Sequence, residues 1–150
     1  MQSRSVYLFL FSMLMLLPFT AAALEFKTVA NHKTVLYDAP SASAKKTLIL
    51  GQNYPLEVIV DLGEWVKVRD AQGAINWIEA KHLSAKRMVL VIANNAEIRA
   101  EANAASALVA TLEKDVALEI VDTKLSSGWL KVKHRDGAQG FILVTSVWGY

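Results

Sequence analysis

The sequence contains one unit twice. Residues 65–69, WVKVR, return 64 positions later as WLKVK at residues 129–133. Upstream, an offset of 62 places residues 56–59, LEVI, on residues 118–121, LEIV. A repeat of this length exceeds the short periods of solenoid proteins, so each copy is predicted to be a small domain. Duplication of such a domain favours binding over catalysis.

The first 23 residues differ from the rest of the chain. Arg4 precedes an uncharged run at residues 5–17, and three alanines end at Ala23. This order is typical of a cleavable secretory signal, with cleavage near Ala23-Leu24. The apolar run is shorter than the roughly 20 residues of a membrane span. We therefore expect a periplasmic or secreted protein with no membrane span after cleavage; a retained N-terminal anchor is the alternative.

The chain contains no cysteine. A lipid-modified cysteine at the cleavage site is therefore excluded, and so are disulfide bonds. In an oxidising compartment the hydrophobic core alone must hold the domains together.

Charge is nearly balanced after the signal segment. Of the 16 Lys and Arg residues only Arg4 lies in that segment, and the chain has 14 Asp and Glu. Nucleic-acid binding normally requires clustered cations that displace counterions. The basic pairs 45–46 and 86–87 are better explained as solvated surface, and no nucleic-acid partner is expected.

The residues after the signal predict an all-β fold. The first copy contains five short runs rich in β-branched or aromatic residues, each ended by Gly, Pro, Asn or Asp. These runs are residues 34–38, 47–50, 56–62, 65–69 and 74–79. Five strands of this length can close into a small barrel, which predicts two barrels in series.

Alternation within residues 65–69 separates two faces of a strand. Val66 and Val68 are predicted to point into the core, while Trp65 shares the opposite face with two basic residues. In the second copy the same pattern turns Trp129 outward. Both tryptophans are therefore predicted to be available to a ligand.

Glycines mark the predicted turns. Gly73 and Gly137 occupy equivalent hairpin turns, where a positive φ is required. Gly140 lies inside the following strand, which predicts a bulge or a close approach of another backbone. Asn76 holds that place in the first copy.

The composition of two further segments predicts a loop and a connecting strand. Residues 100–112 are partly helix-friendly in composition, but their counterpart at residues 40–47 contains Pro and Ser. We predict a loop there, followed by a strand at residues 108–113. Residues 87–92 are too apolar for a flexible linker and predict an ordered connecting strand. The predicted domains span residues 30–86 and 93–150.

These residues resemble the bacterial SH3-like domain family. The likeness lies in a Trp followed by alternating apolar and basic residues, a Gly turn, an aromatic-Ile pair and the segment at residues 81–84. The apolar run after residue 87 and the closing residues 147–150 resemble the exported tandem subgroup. The first strand of the family usually has an asparagine-valine-arginine sequence before a glycine-proline turn. In this chain only Arg99 of the second copy keeps the basic residue, and only the first copy keeps the proline. This divergence leaves open whether the two copies share one function.

The resemblance implies two SH3-like barrels that bind peptide in the cell envelope without catalysis. The expected partner is the peptidoglycan stem peptide or a segment of an envelope protein, and we expect a monomer. The residues themselves also indicate a protein without catalytic activity. His32, His82 and His134 lie in neither a nucleophile motif nor a zinc-ligand spacing, and no phosphate loop is present. No catalytic residue, metal or cofactor is therefore predicted.

Aromatic and basic side chains are the candidate ligand contacts. They are Tyr37, Tyr54, Trp65, Arg99, Trp129 and Trp148. Trp77 and Phe141 are expected to fill the two small cores instead. The alternative function is a structural adaptor that uses residues 147–150. Trp148 would then either dock on the first copy as a clamp or anchor a partner protein.

Overall fold

A computed structural model describes residues 23–150. The predicted signal sequence, apart from Ala23, lies outside the described residues. Within them the chain forms two seven-stranded antiparallel sheets, one from each copy of the repeat, with 3-10 turns as the remaining regular structure. The prediction of an all-β fold with two units in series is confirmed.

The strands of the first sheet run in the spatial order β3-β2-β6-β5-β4-β1-β7. They are β1 Phe26–Val29, β2 Thr34–Tyr37, β3 Lys46–Leu50, β4 Pro55–Asp61, β5 Trp65–Arg69, β6 Ile75–Glu79 and β7 Leu83–Ser84. A 3-10 turn at Ala80–His82 precedes β7.

The second sheet repeats this order as β10-β9-β13-β12-β11-β8-β14. Its strands are β8 Met88–Val91, β9 Asn95–Arg99, β10 Leu108–Glu113, β11 Ala117–Ser126, β12 Trp129–Lys133, β13 Gln139–Leu143 and β14 Val147–Trp148. A 3-10 turn at Val144–Ser146 precedes β14. Residues 100–107 form a loop before β10, as the comparison of the copies predicts.

Each sheet encloses its own core, and the two units are called the first and second barrels below. Every strand of the first sheet contributes to the first core; the buried members are Val29, Leu36, Leu50, Leu56, Val66, Val68 and Ile78, with Leu83 packed against them. Val66 and Val68 are inside, as the alternation predicts. Their equivalents Leu130 and Val132 are buried in the second core.

The apolar segment at residues 87–92 is the beginning of the second barrel. Its strand β8 pairs with β11 and β14, just as β1 pairs with β4 and β7 in the first barrel. Strand β1 thus completes the first barrel before residue 30. An offset of 62 places Phe26–Val29 on Met88–Val91, so the repeat extends to the first strand of each copy.

The two barrels contact each other through the chain ends and the connection. The Trp148 ring meets Phe26 of β1 edge-on, with ring centroids 5.1 Å apart and an interplanar angle of 89°. Arg87 lies 6.0 Å from the Phe26 ring centroid, and its Nη2 donates a hydrogen bond to the Gly149 carbonyl at 3.3 Å. We call Phe26, Arg87 and Trp148 the interbarrel clamp.

Gly140 is required by a close approach of two strands. A Cβ at this position would lie 2.3 Å from the Arg99 carbonyl oxygen and 2.7 Å from Cγ2 of Ile98. Strand β9 therefore passes directly over the backbone of β13. This is the close backbone approach that the sequence predicts for Gly140.

Candidate functional site

Aromatic side chains of the first barrel meet on one outer face. Tyr37 at the end of β2, whose side chain is buried, contacts the partly exposed Trp65 at the start of β5 edge-on, with ring centroids 5.4 Å apart. Tyr37 is also directly opposite Trp77 of β6 in the sheet register. The register brings Lys67 opposite Trp77, and its Nζ lies 5.8 Å from the centroid of that ring. These four residues, Tyr37, Trp65, Lys67 and Trp77, are called the aromatic face.

The alternation of β5 and β6 explains this face. Val66 and Ile78 are opposite each other and completely buried, so the neighbouring Lys67 and Trp77 must point outward. Trp77 and its equivalent Phe141 are partly exposed and lie outside both core clusters. The expectation that these two aromatics fill the cores is therefore wrong. Pairing of each with a lysine ammonium stabilises the outward position.

A groove of about 470 Å³ lies beside Trp65. Its lining residues are Gly63, Glu64, Trp65, Glu79, Ala80 and Lys81. Glu79 forms an ion pair with Lys81, and the hydrogen bond and the charge of Glu79 raise the pKa of Lys81. His82 Nε2 lies 3.9 Å from the Glu79 carboxylate. Among residues 23–150, Glu64 has no cation within ion-pairing distance. In the described residues the groove thus places an indole ring beside a carboxylate without an ion-pair partner, and the Lys81 ammonium, paired with Glu79, also lines it.

The second barrel has lost most of this arrangement. Arg99 replaces Tyr37, and its donors are used within its own hairpin, by the Glu97 carboxylate and by the Ser106 carbonyl at 3.1 Å. Trp129 is 8% exposed, so the expectation that its ring is turned to solvent is wrong. At the positions of Glu64 and Glu79 this barrel has Gly128 and Leu143. The two copies therefore present different surfaces at equivalent places.

Two predicted contact residues lie away from the aromatic face. The Tyr54 hydroxyl donates to Gln72 Oε1 at 3.0 Å and accepts a hydrogen bond from the Ala71 amide. Burial is the largest cause of a raised pKa for Tyr54. Trp148 is held in the interbarrel clamp. Tyr37 and Trp65 are thus the two predicted residues that meet at one site, whereas Arg99 and Trp129 occupy the equivalent positions of the second barrel.

Neither Glu64 nor Lys67 is among the site residues that the sequence predicts, and Trp77 is predicted to lie in the core. The signal for Lys67 and Trp77 was present, because both alternate with buried residues in neighbouring strands. No strand pattern in the sequence singles out Glu64, because the groove that it lines is formed by two separate segments of the chain.

Residues 23–150 contain no group of three or more His, Cys, Asp or Glu side chains that could hold a metal ion. Within the same residues no helix has the length and apolar character needed to cross a bilayer.

The fold and the repeated core define a tandem of two small barrels of the SH3 type, and comparison with protein families agrees. The family model of the bacterial SH3 domain matches the chain twice, at residues 30–85 and 93–149. The chain therefore belongs to the bacterial SH3 domain family.

Comparison with solved structures gives matches of low sequence identity. NlpC2 and NlpC1 from Trichomonas vaginalis are 14% and 15% identical, with TM-scores of 0.40 and 0.39; each match covers 85% of this chain, but 49% and 46% of those chains. An NlpC/P60 family protein from Bacillus cereus is 12% identical with a TM-score of 0.38, and the match covers 84% of this chain and 56% of that one. This chain thus spans about half the length of these structures. No curated protein matches the sequence.

Proposed function

We propose that this protein is an exported, non-catalytic binding module whose first barrel recognises peptide in the cell envelope. The ligand is the peptidoglycan stem peptide or an extended segment of an envelope protein. The observation that carries the proposal is the groove beside Trp65, where an aromatic ring adjoins the carboxylate of Glu64, which has no ion-pair partner among residues 23–150.

The chemistry of this groove suits a peptide that carries an amine. Trp65 presents a rigid apolar surface that packs against peptide backbone or aliphatic side chains at low entropic cost. The electron-rich face of an indole also attracts cations. A ligand ammonium placed between Trp65 and Glu64 would gain both interactions, which a neutral peptide lacks.

The divergence of the second barrel supports a division of labour. Arg99 is held by Glu97 and Ser106, and Trp129 is buried. We therefore assign the peptide site to the first barrel and a supporting role to the second. The alternative, an adaptor that captures partners with its C-terminal aromatic tail, is less favoured because the Trp148 ring already contacts Phe26.

Binding to purified sacculi tests the site. We expect Trp65→Ala to reduce retention at least tenfold, because it removes the main apolar contact of the groove. Glu64→Gln should weaken binding several-fold through loss of one exposed charge contact. Phe141→Ala is the matched control, since it removes a partly exposed aromatic from the equivalent face of the second barrel. Only variants whose melting temperature matches that of the wild-type protein are compared for retention.

Three results separate the possibilities. Reduced retention of Trp65→Ala with normal retention of Phe141→Ala supports the assignment. Equal loss in both variants contradicts it. If the wild-type protein is not retained by sacculi, the peptidoglycan ligand is wrong and capture of an envelope protein segment, again dependent on Trp65, becomes the test.

Export is a separate expectation. Cleavage near Ala23-Leu24 predicts that the protein recovered from envelope extracts lacks the N-terminal segment. Intact-mass measurement checks this directly. Recovery of full-length protein from membranes alone would favour the retained anchor instead.

A further inference from the structure

A cleft of about 500 Å³ lies between the two barrels. The first barrel supplies one side of it, with Gln52 and Asn53 in the turn before β4. The second barrel supplies the turn at residues 115–117 and the end of β12 with the turn that follows it, residues 133–135. Lys86 of the connection also lines the cleft. Its volume is within the range of small-molecule sites.

The second barrel brings a free cation to this cleft. In the first barrel Arg69 Nη1 donates to Glu57 at 3.1 Å. Lys133 and Glu119 occupy the equivalent positions, but Glu119 is paired with Lys86, at 3.1 Å between Nζ and Oε2. Among residues 23–150, Lys133 therefore has no carboxylate within ion-pairing distance.

Arg135 adds a second cation where the first barrel has Ala71. Its side chain is exposed, and in the described residues it too lacks an ion pair. Two cations that stand two residues apart in the lining of one cleft favour an anion that accepts hydrogen bonds from both, such as a carboxylate.

An anion lines the same cleft. Asp115 lies in the turn before β11 with φ of 69°, and its equivalent Asn53 has φ of 71°. The backbone is thus the same, but the second barrel has a charged residue where the first has a neutral one. Within residues 23–150 no lysine or arginine pairs with Asp115. Within residues 23–150 the cleft is thus lined by unpaired charges of both signs, together with the Lys86–Glu119 ion pair and His134.

We propose that the interbarrel cleft binds a small zwitterion, namely a short peptide with free amino and carboxyl ends. The ligand carboxylate pairs with Lys133 and Arg135, and its ammonium pairs with Asp115. This site is distinct from the aromatic face and does not depend on the function proposed for it. It exists only in the tandem, because both barrels form its walls.

Three matched peptides test the proposal. Trialanine, its C-terminal amide and its N-acetyl form are titrated at millimolar concentration into the isotope-labelled full tandem, and amide chemical shifts are followed. We expect saturable shifts at the cleft residues with trialanine. Amidation and acetylation should each weaken binding at least tenfold, because each removes one charge contact.

Substitutions then assign each contact. Lys133→Gln combined with Arg135→Gln should abolish the discrimination against the amide. Asp115→Asn should abolish discrimination against the N-acetyl peptide while keeping the fold, because Asn accepts a positive φ and stands at this place in the first copy. Lys46→Gln combined with Lys124→Gln is the control, since it removes the same charge outside the cleft.

Several outcomes would overturn the proposal. They are the absence of saturable shifts, equal affinity for all three peptides, or equal weakening by the control substitutions. Loss of trialanine binding in Trp65→Ala would place the peptide on the aromatic face instead. If Trp65→Ala leaves trialanine binding at the cleft unchanged, and amidation and acetylation each weaken it, the cleft is a second site. This conclusion holds even if the aromatic face binds no peptide.

Discussion

Gly140→Ala is expected to destabilise the protein by about 3 kcal/mol, because overpacking against backbone cannot be relieved by a rotamer change. The added Cβ would lie 2.3 Å from the Arg99 carbonyl oxygen, so β9 and β13 must separate. Such a loss corresponds to a fall in Tm of roughly 10 °C for a protein of this size. Thermal unfolding followed by circular dichroism measures it.

Two other glycines serve as controls. Gly51→Ala meets nothing within 4 Å and has no positive φ, so its Tm should be nearly unchanged. Gly137→Ala has space, but its φ of 102° is strained for alanine, and an intermediate loss of about 1 kcal/mol is expected. A Gly140→Ala protein as stable as Gly51→Ala would show that the two strands do not approach as described.

Trp148→Ala is expected to lower the free energy of unfolding by about 2 kcal/mol. This is less than the loss expected for a fully buried tryptophan, because the ring is partly exposed in the interbarrel clamp. The Tm should fall by roughly 5 to 8 °C. Tyr150→Ala is the control: its side chain is 47% exposed, and its removal should change stability by less than about 0.5 kcal/mol.

A double-mutant cycle locates the contact that Trp148 makes. Phe26→Leu and Trp148→Leu should show a coupling of about 1 kcal/mol, since edge-on aromatic pairs gain this much beyond burial. Additive effects would mean that the two rings do not interact. Equal losses in Trp148→Ala and Tyr150→Ala would mean that the tail contributes only general packing.

The sequence predicts the core well because strand periodicity is local. Val66 and Val68 are inside, and the turns and loop segments fall where the two copies agree. The repeat would also have located β1, since Phe26–Val29 aligns with Met88–Val91 at an offset of 62. A strand identified in one copy thus predicts the equivalent strand in the other copy.

The faces of the aromatic residues were harder to predict because cross-strand neighbours decide them. Trp77 points outward because its neighbour Ile78 fills the core opposite Val66. Trp65 and Trp129 occupy the same strand position, yet their neighbours differ: Tyr37 contacts Trp65, whereas Arg99 stands at the equivalent place in the second barrel. The same residue type therefore has different exposure in the two copies.

The two candidate sites were beyond prediction from local patterns. The groove beside Trp65 joins the segment before β5 to the 3-10 turn after β6. The interbarrel cleft joins charges from the connection and from two turns of the second barrel. Both depend on how distant segments meet: Glu119, the cross-strand neighbour of Lys133, is paired with Lys86 of the connection instead.

Indole N–H chemical shifts report directly on whether the first barrel holds the peptide. The uniformly ¹⁵N-labelled protein has four tryptophans, and a soluble peptidoglycan stem peptide with a free side-chain amine is titrated into it. We expect saturable shifts of Trp65 and Trp77, no change at Trp129 or Trp148, and much weaker shifts once the amine is acetylated. Saturable shifts at Trp129 or Trp148 without change at Trp65, or equal binding of the acetylated peptide, would contradict the assignment of the peptide site to the first barrel.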